Sequence, residues 1–180
     1  AIVMNKPAGL LTATADRRQG TVLDLLAPRD RRREPAPVGR LDKDTTGLLL
    51  ITDDGQAAHA LISPKSGVEK RYRALLDSPV DESDVEAFAQ GLQLSDFEAL
   101  PARLEPGEGC VAYCTVREGK FHQVKRMFAA RGRRVLALHR ERVGSLWLPD
   151  TLAPGQYDYL NMDAWNQLRS EAGLPAWREG

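Results

Sequence analysis

The chain has 180 residues, of which 25 are basic, 25 are acidic and 42% are hydrophobic, and this composition is ordinary for a globular protein with one sizeable core. No apolar run is long enough to cross a bilayer, and the chain does not start with a signal-peptide pattern, which argues against membrane-spanning and secreted classes. The two cysteines, Cys110 and Cys114, are expected to be free thiols of a cytoplasmic protein.

The apolar pattern divides the chain into short strands and a few helices. In chain order, the first half predicts a strand at 2–4, a strand at 10–14, a helix at 22–26, a proline-containing loop at 28–37, a strand at 48–51 and a helix at 56–62. The second half predicts a strand at 68–76, a helix at 81–90, strands at 102–104 and 111–116, a helix at 121–131, strands at 135–139, 145–148 and 157–160, and a helix at 163–171. This order predicts an α+β domain with a mixed, mostly antiparallel sheet flanked by helices.

Charge is distributed unevenly along the chain although it sums to zero. Residues 117–142 hold nine basic and two acidic groups, whereas residues 77–108 hold nine acidic groups and one basic group. A second basic cluster comprises Arg29, Arg31, Arg32, Arg33 and Arg40. The distribution predicts a dipole with one basic face, which is typical of a protein that binds a polyanion. The alternative is a set of solvated faces that never meet in space.

The most informative stretch runs from residue 39 to residue 55 and contains Asp42 just before a buried strand. Arg40 and Lys43 flank this carboxylate, and the strand gives it a rigid base, as a nucleophile or general base requires. A surface ion pair or a turn cap is the alternative interpretation of Asp42. Asp44 could complete a carboxylate pair for glycoside chemistry, but its position before Thr-Thr-Gly is more typical of a turn.

Tyr72 is a candidate for recognition of a nucleobase. It lies among Lys70, Arg71 and Arg73, where the ring could stack on a base while the cations bind phosphates. A tyrosine in the protein interior with solvent-reaching neighbours is the alternative.

The predicted helix at 121–131 carries two candidate cations. Lys125 borders the apolar stripe of this helix and is expected to be a partly buried, positioned charge. Arg126 lies further round the helix and is expected to face solvent or phosphate. The chain lacks GxGxxG, GxxxxGK[ST], HExxH and GxSxG motifs, and its three histidines lack metal-ligand spacing, so we expect no cofactor and no metal.

Taken together, these motifs resemble those of the pseudouridine synthases of ribosomal RNA, and within that family those of the bacterial small-subunit (16S) branch. The resemblance rests on Asn5-Lys6-Pro7, the segment 39–55, Lys70-Arg71-Tyr72, the segment 118–128 and the segment 139–144. The residues at 45–47 and 122–126 favour the 16S branch, and the large-subunit (23S) branch remains the alternative.

The resemblance implies that uridine is isomerised to pseudouridine in a central RNA-binding cleft, with base flipping and without a cofactor. It implies Asp42 as the catalytic aspartate, Tyr72 as the residue that stacks on the target base, Lys125 as the partner of Asp42, and Arg40 as the side chain that fills the gap left by the base. Leu138 is a candidate wall of the base pocket, and Lys70 and Arg126 are candidate contacts to RNA.

The resemblance also predicts the setting of the chain. Residues 1–180 correspond to the catalytic domain, and an upstream RNA-binding domain of the S4 type is expected to be removed or absent. The expected partner is ribosomal RNA or a pre-ribosomal particle, bound by a cytoplasmic monomer. Two other function classes remain open: a ribosome-assembly factor that binds RNA without catalysis, and a glycosidase acting on small substrates through Asp42 and Asp44.

Overall fold

The computed structural model describes residues 1–120 and 122–178. Its strands are β1 (Ile2–Lys6), β2 (Ala36–Pro37), β3 (Thr46–Thr52), β4 (Lys70–Leu76), β5 (Leu92–Gln93), β6 (Glu98–Ala99), β7 (Arg103–Pro106), β8 (Val111–Val116), β9 (Val135–Val143), β10 (Leu146–Trp147) and β11 (Tyr157–Tyr159). Its α-helices are α1 (Pro28–Arg31), α2 (Gly55–Ile62), α3 (Glu82–Gln90), α4 (Gln123–Ala130) and α5 (Met162–Glu171), with short 3-10 helices at Val22–Leu25 and Pro64–Ser66.

One large sheet organises the chain. Its strand order is β11-β1-β3-β9-β4-β8-β7, with β10 beside β9 and β2 beside β3, while β5 and β6 form a separate hairpin. Within the described residues every pairing of named strands is antiparallel except that of β3 with β9, where Thr46 lies opposite His139. The prediction of an α+β fold with a mixed, mostly antiparallel sheet is confirmed.

Three buried apolar clusters hold the sheet and helices together. The first packs α3 and α4 on β4, β7 and β8, and contains the ring pair Phe88–Phe128 at 5.1 Å. The second packs α2 and α5 against β3, and the third lies between β1, β3 and the 3-10 helix at Val22–Leu25. Tyr72 packs against both the first and the third cluster, so it lies where they meet.

The parallel junction of β3 and β9 depends on a glycine. Gly47 has a φ of +109°, and a Cβ at this position would overlap the carbonyl oxygen of Arg140 and lie 2.7 Å from its backbone nitrogen. The buried Arg140 side chain donates from Nε to the carbonyl of Leu48 at 2.9 Å. Only a residue without a side chain allows the two strands to approach this closely.

Several predicted elements differ from the observed ones. The strand predicted at 10–14 is wrong: in the described part of the chain this segment makes only a single bridge, between Leu11 and Thr21. The loop predicted at 28–37 contains α1 and β2. Strand β9 continues to Val143, beyond the predicted end at His139, because Arg140 and Val143 are buried although the intervening residues are charged. The predicted helix start at Phe121 lies outside the described residues.

The predicted basic face is interrupted in the segment 117–142. Arg131 and Arg133 both pair with the buried carboxylate of Asp84 on α3, at 2.9 Å and 3.0 Å. Arg126 pairs with Asp96. The acidic segment 77–108 therefore faces part of the basic segment and neutralises it.

Two further predictions concern the state of the cysteines and the possibility of a membrane span. Cys110 and Cys114 are free, as predicted, and burial raises the pKa of Cys114 to about 12. Across residues 1–120 and 122–178, no helix has the length and apolarity that a membrane span requires.

Candidate active site

A cleft opens between the loop that precedes β3, strands β4, β8 and β9, and the N-terminal end of α4. It contains about 420 Å³ of empty space, counted out to its open mouth. The fold brings five of the predicted site residues to this cleft, from four separate elements: Arg40, Asp42, Tyr72, Lys125 and Leu138.

Asp42 lies in the cleft between two side chains of the α4 region. Its Oδ2 is 3.2 Å from Nζ of Lys125, and its Oδ1 is 3.2 Å from Nε2 of His122. The side chain is 25% exposed, so the carboxylate is partly sheltered and still reachable from the cleft. His122 is the N-cap of α4, and the positive end of the helix dipole there further stabilises the negative charge of Asp42.

Asp44 shares the same lysine. Nζ of Lys125 donates to Oδ1 of Asp44 at 2.7 Å, and this hydrogen bond lowers the pKa of Asp44. Burial acts to lower the pKa of Lys125, but hydrogen bonds to Asp44 and Asp42 outweigh it and raise that pKa. The assignment of Asp44 to turn structure is therefore incomplete: its carboxylate, 78% exposed, helps to hold Lys125 in place.

A buried lysine of β1, which sequence reasoning left without a role, fixes the backbone of the Asp42 loop. Nζ of Lys6 donates to the carbonyl oxygens of Pro7 and Lys43 at 3.0 Å and of Thr45 at 2.7 Å. Burial lowers the pKa of Lys6 to about 8, while Asp44 and Asp42 oppose that shift. The strand predicted at 2–4 ended before Lys6, so the local pattern carried no signal of this role.

The chain after β1 holds the other end of the same loop. The hydroxyl of Thr12 donates to the carbonyl of Leu41 at 3.1 Å and accepts from the Leu41 N–H at 3.2 Å. The N–H of Gly9 donates to the carbonyl of Lys43 at 2.8 Å. These contacts on both sides of Asp42 keep its backbone from moving independently of β1.

The segment that leads into α4 is held by a buried carboxylate. Oε1 of Glu118 accepts from the N–H of Leu100 and from Nε2 of Gln123, both at 2.8 Å. Oε1 of Gln123 in turn accepts from the N–H of Lys120 at 3.1 Å. This network sets the position of His122 and Lys125 opposite Asp42.

Three predicted residues shape the rest of the cleft. Tyr72 is half-buried and exposes part of its ring to the cleft, and Leu138 is buried beside it. Arg40 is exposed at the edge, and no ion pair of its side chain is found among residues 1–120 and 122–178. An aromatic face, an apolar wall and an exposed guanidinium around one carboxylate suit a flat heterocycle attached to a phosphodiester chain.

Two predicted site residues do not line the cleft. Arg126 hydrogen-bonds to Asp96 and Ser95, and its guanidinium lies 5.2 Å from the ring centre of Phe97. Lys70 is only 7% exposed, and its Nζ has no hydrogen-bond partner among the described residues. Burial, with the nearby charge of Arg140, lowers the pKa of Lys70 to about 8.

The buried amine of Lys70 is expected to destabilise the fold. Its pKa is about 8 in the folded protein, against an ordinary value of 10.5. The resulting loss of folding free energy is therefore fully present below pH 8 and disappears as the pH rises towards 10.5. Lys70→Met should raise the free energy of unfolding at pH 7 by on the order of 3 kcal/mol. Denaturant titrations at pH 7 and pH 10 measure this, and the gain should shrink at pH 10. Equal stability of both proteins at both pH values would contradict the assignment.

Comparison with known proteins assigns the chain to a family. The profile of the RNA pseudouridylate synthase family matches residues 1–130, which include Asp42, Tyr72 and Lys125. The chain belongs to this family.

Within residues 1–120 and 122–178, no cluster of three or more His, Cys, Asp or Glu side chains could hold a metal ion.

Curated relatives match most of the chain. Ribosomal small subunit pseudouridine synthase A of Vibrio cholerae is 47% identical over 161 residues, covering 88% of this chain and 69% of the relative. The enzyme of the same name from Escherichia coli K12 is 46% identical over 162 residues, covering 86% and 68%. YtzG of Bacillus subtilis, described as an uncharacterized RNA pseudouridine synthase, is 46% identical over 161 residues, covering 87% and 67%. The chain thus spans about two thirds of the length of these relatives.

Solved structures show the same fold. A crystal structure of a pseudouridylate synthase superposes with a TM-score of 0.87 at 37% identity, covering 93% of this chain and 72% of that one. The archaeal box H/ACA Nop10–Cbf5 complex aligns with a TM-score of 0.55 at 19% identity, covering 86% of this chain and 51% of that one. This second likeness shows the fold alone.

Proposed function

We propose that the protein isomerises uridine to pseudouridine in ribosomal RNA, most specifically in 16S ribosomal RNA. The observation that carries this proposal is the contact of Asp42 with Lys125 in a cleft that Tyr72 and Leu138 line. The names of the relatives from Vibrio cholerae and Escherichia coli support the small subunit as the target. We further propose that residues 1–180 act as a catalytic domain, and that the protein is a cytoplasmic monomer that meets its RNA free or in a pre-ribosomal particle.

The reaction breaks the N1–C1′ bond, turns the uracil and forms a C5–C1′ bond. C5 loses its proton and N1 gains one, so the step is balanced without an oxidant or a reductant. Asp42 adds to the sugar or base, or takes the C2′ proton, and in each case a single aimed carboxylate is sufficient. Lys125 holds Oδ2 of Asp42 in place, and its positive charge stabilises the carboxylate while bound RNA covers the cleft.

Access to the target uridine requires base flipping, which costs a few kcal/mol. Arg40, exposed at the edge of the cleft, fills the gap left in the base stack, and the Tyr72 ring stacks on the flipped uracil against Leu138. Arg126 binds a phosphate after exchanging its bond to Asp96. The buried amine of Lys70 makes no direct contact with RNA and contributes only its positive charge.

Two variants of Tyr72 test whether its ring or its hydroxyl group is needed for the reaction. Tyr72→Phe keeps the ring and should retain at least about a tenth of the wild-type rate, whereas Tyr72→Ala should lose about 1–3 kcal/mol of base stacking. Single-turnover conversion of a saturating RNA fragment measures both rates. If Tyr72→Phe were as slow as an Asp42 variant, the hydroxyl group would take part in the reaction, and stacking alone would not explain the role of Tyr72.

Tritium release from RNA labelled at uridine C5 tests the proposal and separates the alternatives. The proposal predicts release from 16S ribosomal RNA or its precursor particle, and none from free uridine. Release from 23S RNA alone would indicate the large-subunit branch. RNA binding without release would indicate an assembly factor, and base release from free nucleosides would indicate a glycosidase.

A further inference from the structure

His122 occupies an unusual position beside the Asp42 carboxylate. Its backbone lies in the left-handed region, with φ of 51° and ψ of 29°, which glycine and asparagine adopt more readily than other residues. A non-glycine residue in this conformation at a cleft is a reason to ask what its side chain contributes. The conformation places Nε2 at 3.2 Å from Oδ1 of Asp42 and leaves 41% of the side chain exposed.

The two contacts of Asp42 differ in chemical character. Lys125 is bonded to Asp44 as well, and both carboxylates raise its pKa, so it keeps its proton at neutral pH. Histidine is the side chain that both accepts and donates a proton near neutral pH. The imidazole of His122, in contact with Oδ1 and 41% exposed, can therefore pass a proton between the carboxylate and solvent, which the lysine cannot do.

We propose that His122 is the proton-carrying partner of Asp42, exchanging the proton of its carboxyl group with solvent in each turnover. This inference rests on the proposed function, because isomerisation must remove the C5 proton and supply one to N1. Asp42 accepts the C5 proton as the pyrimidine regains its double bond, and Nε2 of His122 takes that proton from Oδ1. The imidazolium then releases its other ring proton to water, and water supplies the proton of N1. Exchange with water moves the remaining ring proton off Nε2 before the next turnover, so that Nε2 can accept again. Asp42 ends as carboxylate and His122 as neutral imidazole.

Two substitutions remove the imidazole without straining the backbone. Glycine and asparagine both accept a φ near +50°, so His122→Gly and His122→Asn should fold like the wild type. We expect each to slow multiple-turnover tritium release roughly tenfold to hundredfold at saturating RNA, because the carboxyl group of Asp42 must lose its proton before the next turnover. RNA affinity, measured by filter binding, should stay unchanged.

Chemical rescue distinguishes proton transfer from positioning. In His122→Gly, added imidazole should restore much of the lost rate, because the space left by the side chain opens to solvent. Thiazole has the same ring size but is not protonated at neutral pH, so it should restore none.

The inference would be overturned by a wild-type rate in His122→Asn, by failure of imidazole to restore His122→Gly, or by equal rescue with thiazole. Tritium release by the wild type is the reference in every arm. Absence of release from the wild type would instead count against the proposed function itself.

Discussion

Asp42→Asn is expected to abolish pseudouridine formation while leaving RNA binding nearly intact. The amide keeps the size of the side chain but can neither act as a nucleophile nor accept a proton, so the rate should fall by on the order of a thousandfold or more. The fold should persist because Lys125 keeps its bond to Asp44. Tritium release in single-turnover reactions, with filter binding on the same RNA, measures both quantities.

Asp44→Asn is the matched control for the same exposed loop. Its carboxylate contacts the same lysine, but an exposed ion pair contributes about 1 kcal/mol or less, so the rate should change by about fivefold at most. If Asp44→Asn were as slow as Asp42→Asn, the two carboxylates would act as a pair, and the single-carboxylate account would be wrong.

Gly47→Ala is expected to be the most damaging single substitution for stability. A methyl group there would overlap the carbonyl oxygen of Arg140 at the parallel junction of β3 and β9, and backbone on both sides prevents relaxation. We expect a loss of at least about 4 kcal/mol, which corresponds to a fall in melting temperature of roughly 10 °C. Thermal unfolding followed by circular dichroism measures the change.

Gly155→Ala measures the backbone part of that effect, so the difference between the two variants gives the steric part. Gly155 also has a positive φ, of +86°, but a Cβ there would meet no atom of the described residues within 4 Å. Its loss should be only about 1 kcal/mol, the cost of the left-handed backbone. Similar losses for both variants would show that the close approach of the two strands is not what requires Gly47.

The sequence was most informative where residue type and local pattern agree. Asp42 precedes a continuous apolar run, and Lys125 lies at the edge of an amphipathic stripe, so both could be recognised as positioned charges before the fold was known. Their charged groups, Oδ2 of Asp42 and Nζ of Lys125, lie 3.2 Å apart although 83 positions separate the two residues in the chain, because α4 packs against the same sheet whose strand β3 follows the Asp42 loop.

Other features depend on tertiary contacts that a local pattern does not contain. Lys6 lies just after the strand predicted at 2–4, and only the fold shows that its amine donates to the carbonyl groups of Pro7, Lys43 and Thr45. The basic stretch around Arg131 and Arg133 resembled a polyanion surface, yet Asp84, distant in sequence, neutralises it. Charge patterns predict a surface only when their spatial neighbours are known.

The central claim is tested most directly by mapping pseudouridines in 16S and 23S ribosomal RNA from cells that lack this gene. Deletion should remove a pseudouridine from 16S RNA; the wild-type gene should restore it, and a gene encoding Asp42→Asn should not. An unchanged map after deletion, or restoration by the Asp42→Asn gene, would contradict the account.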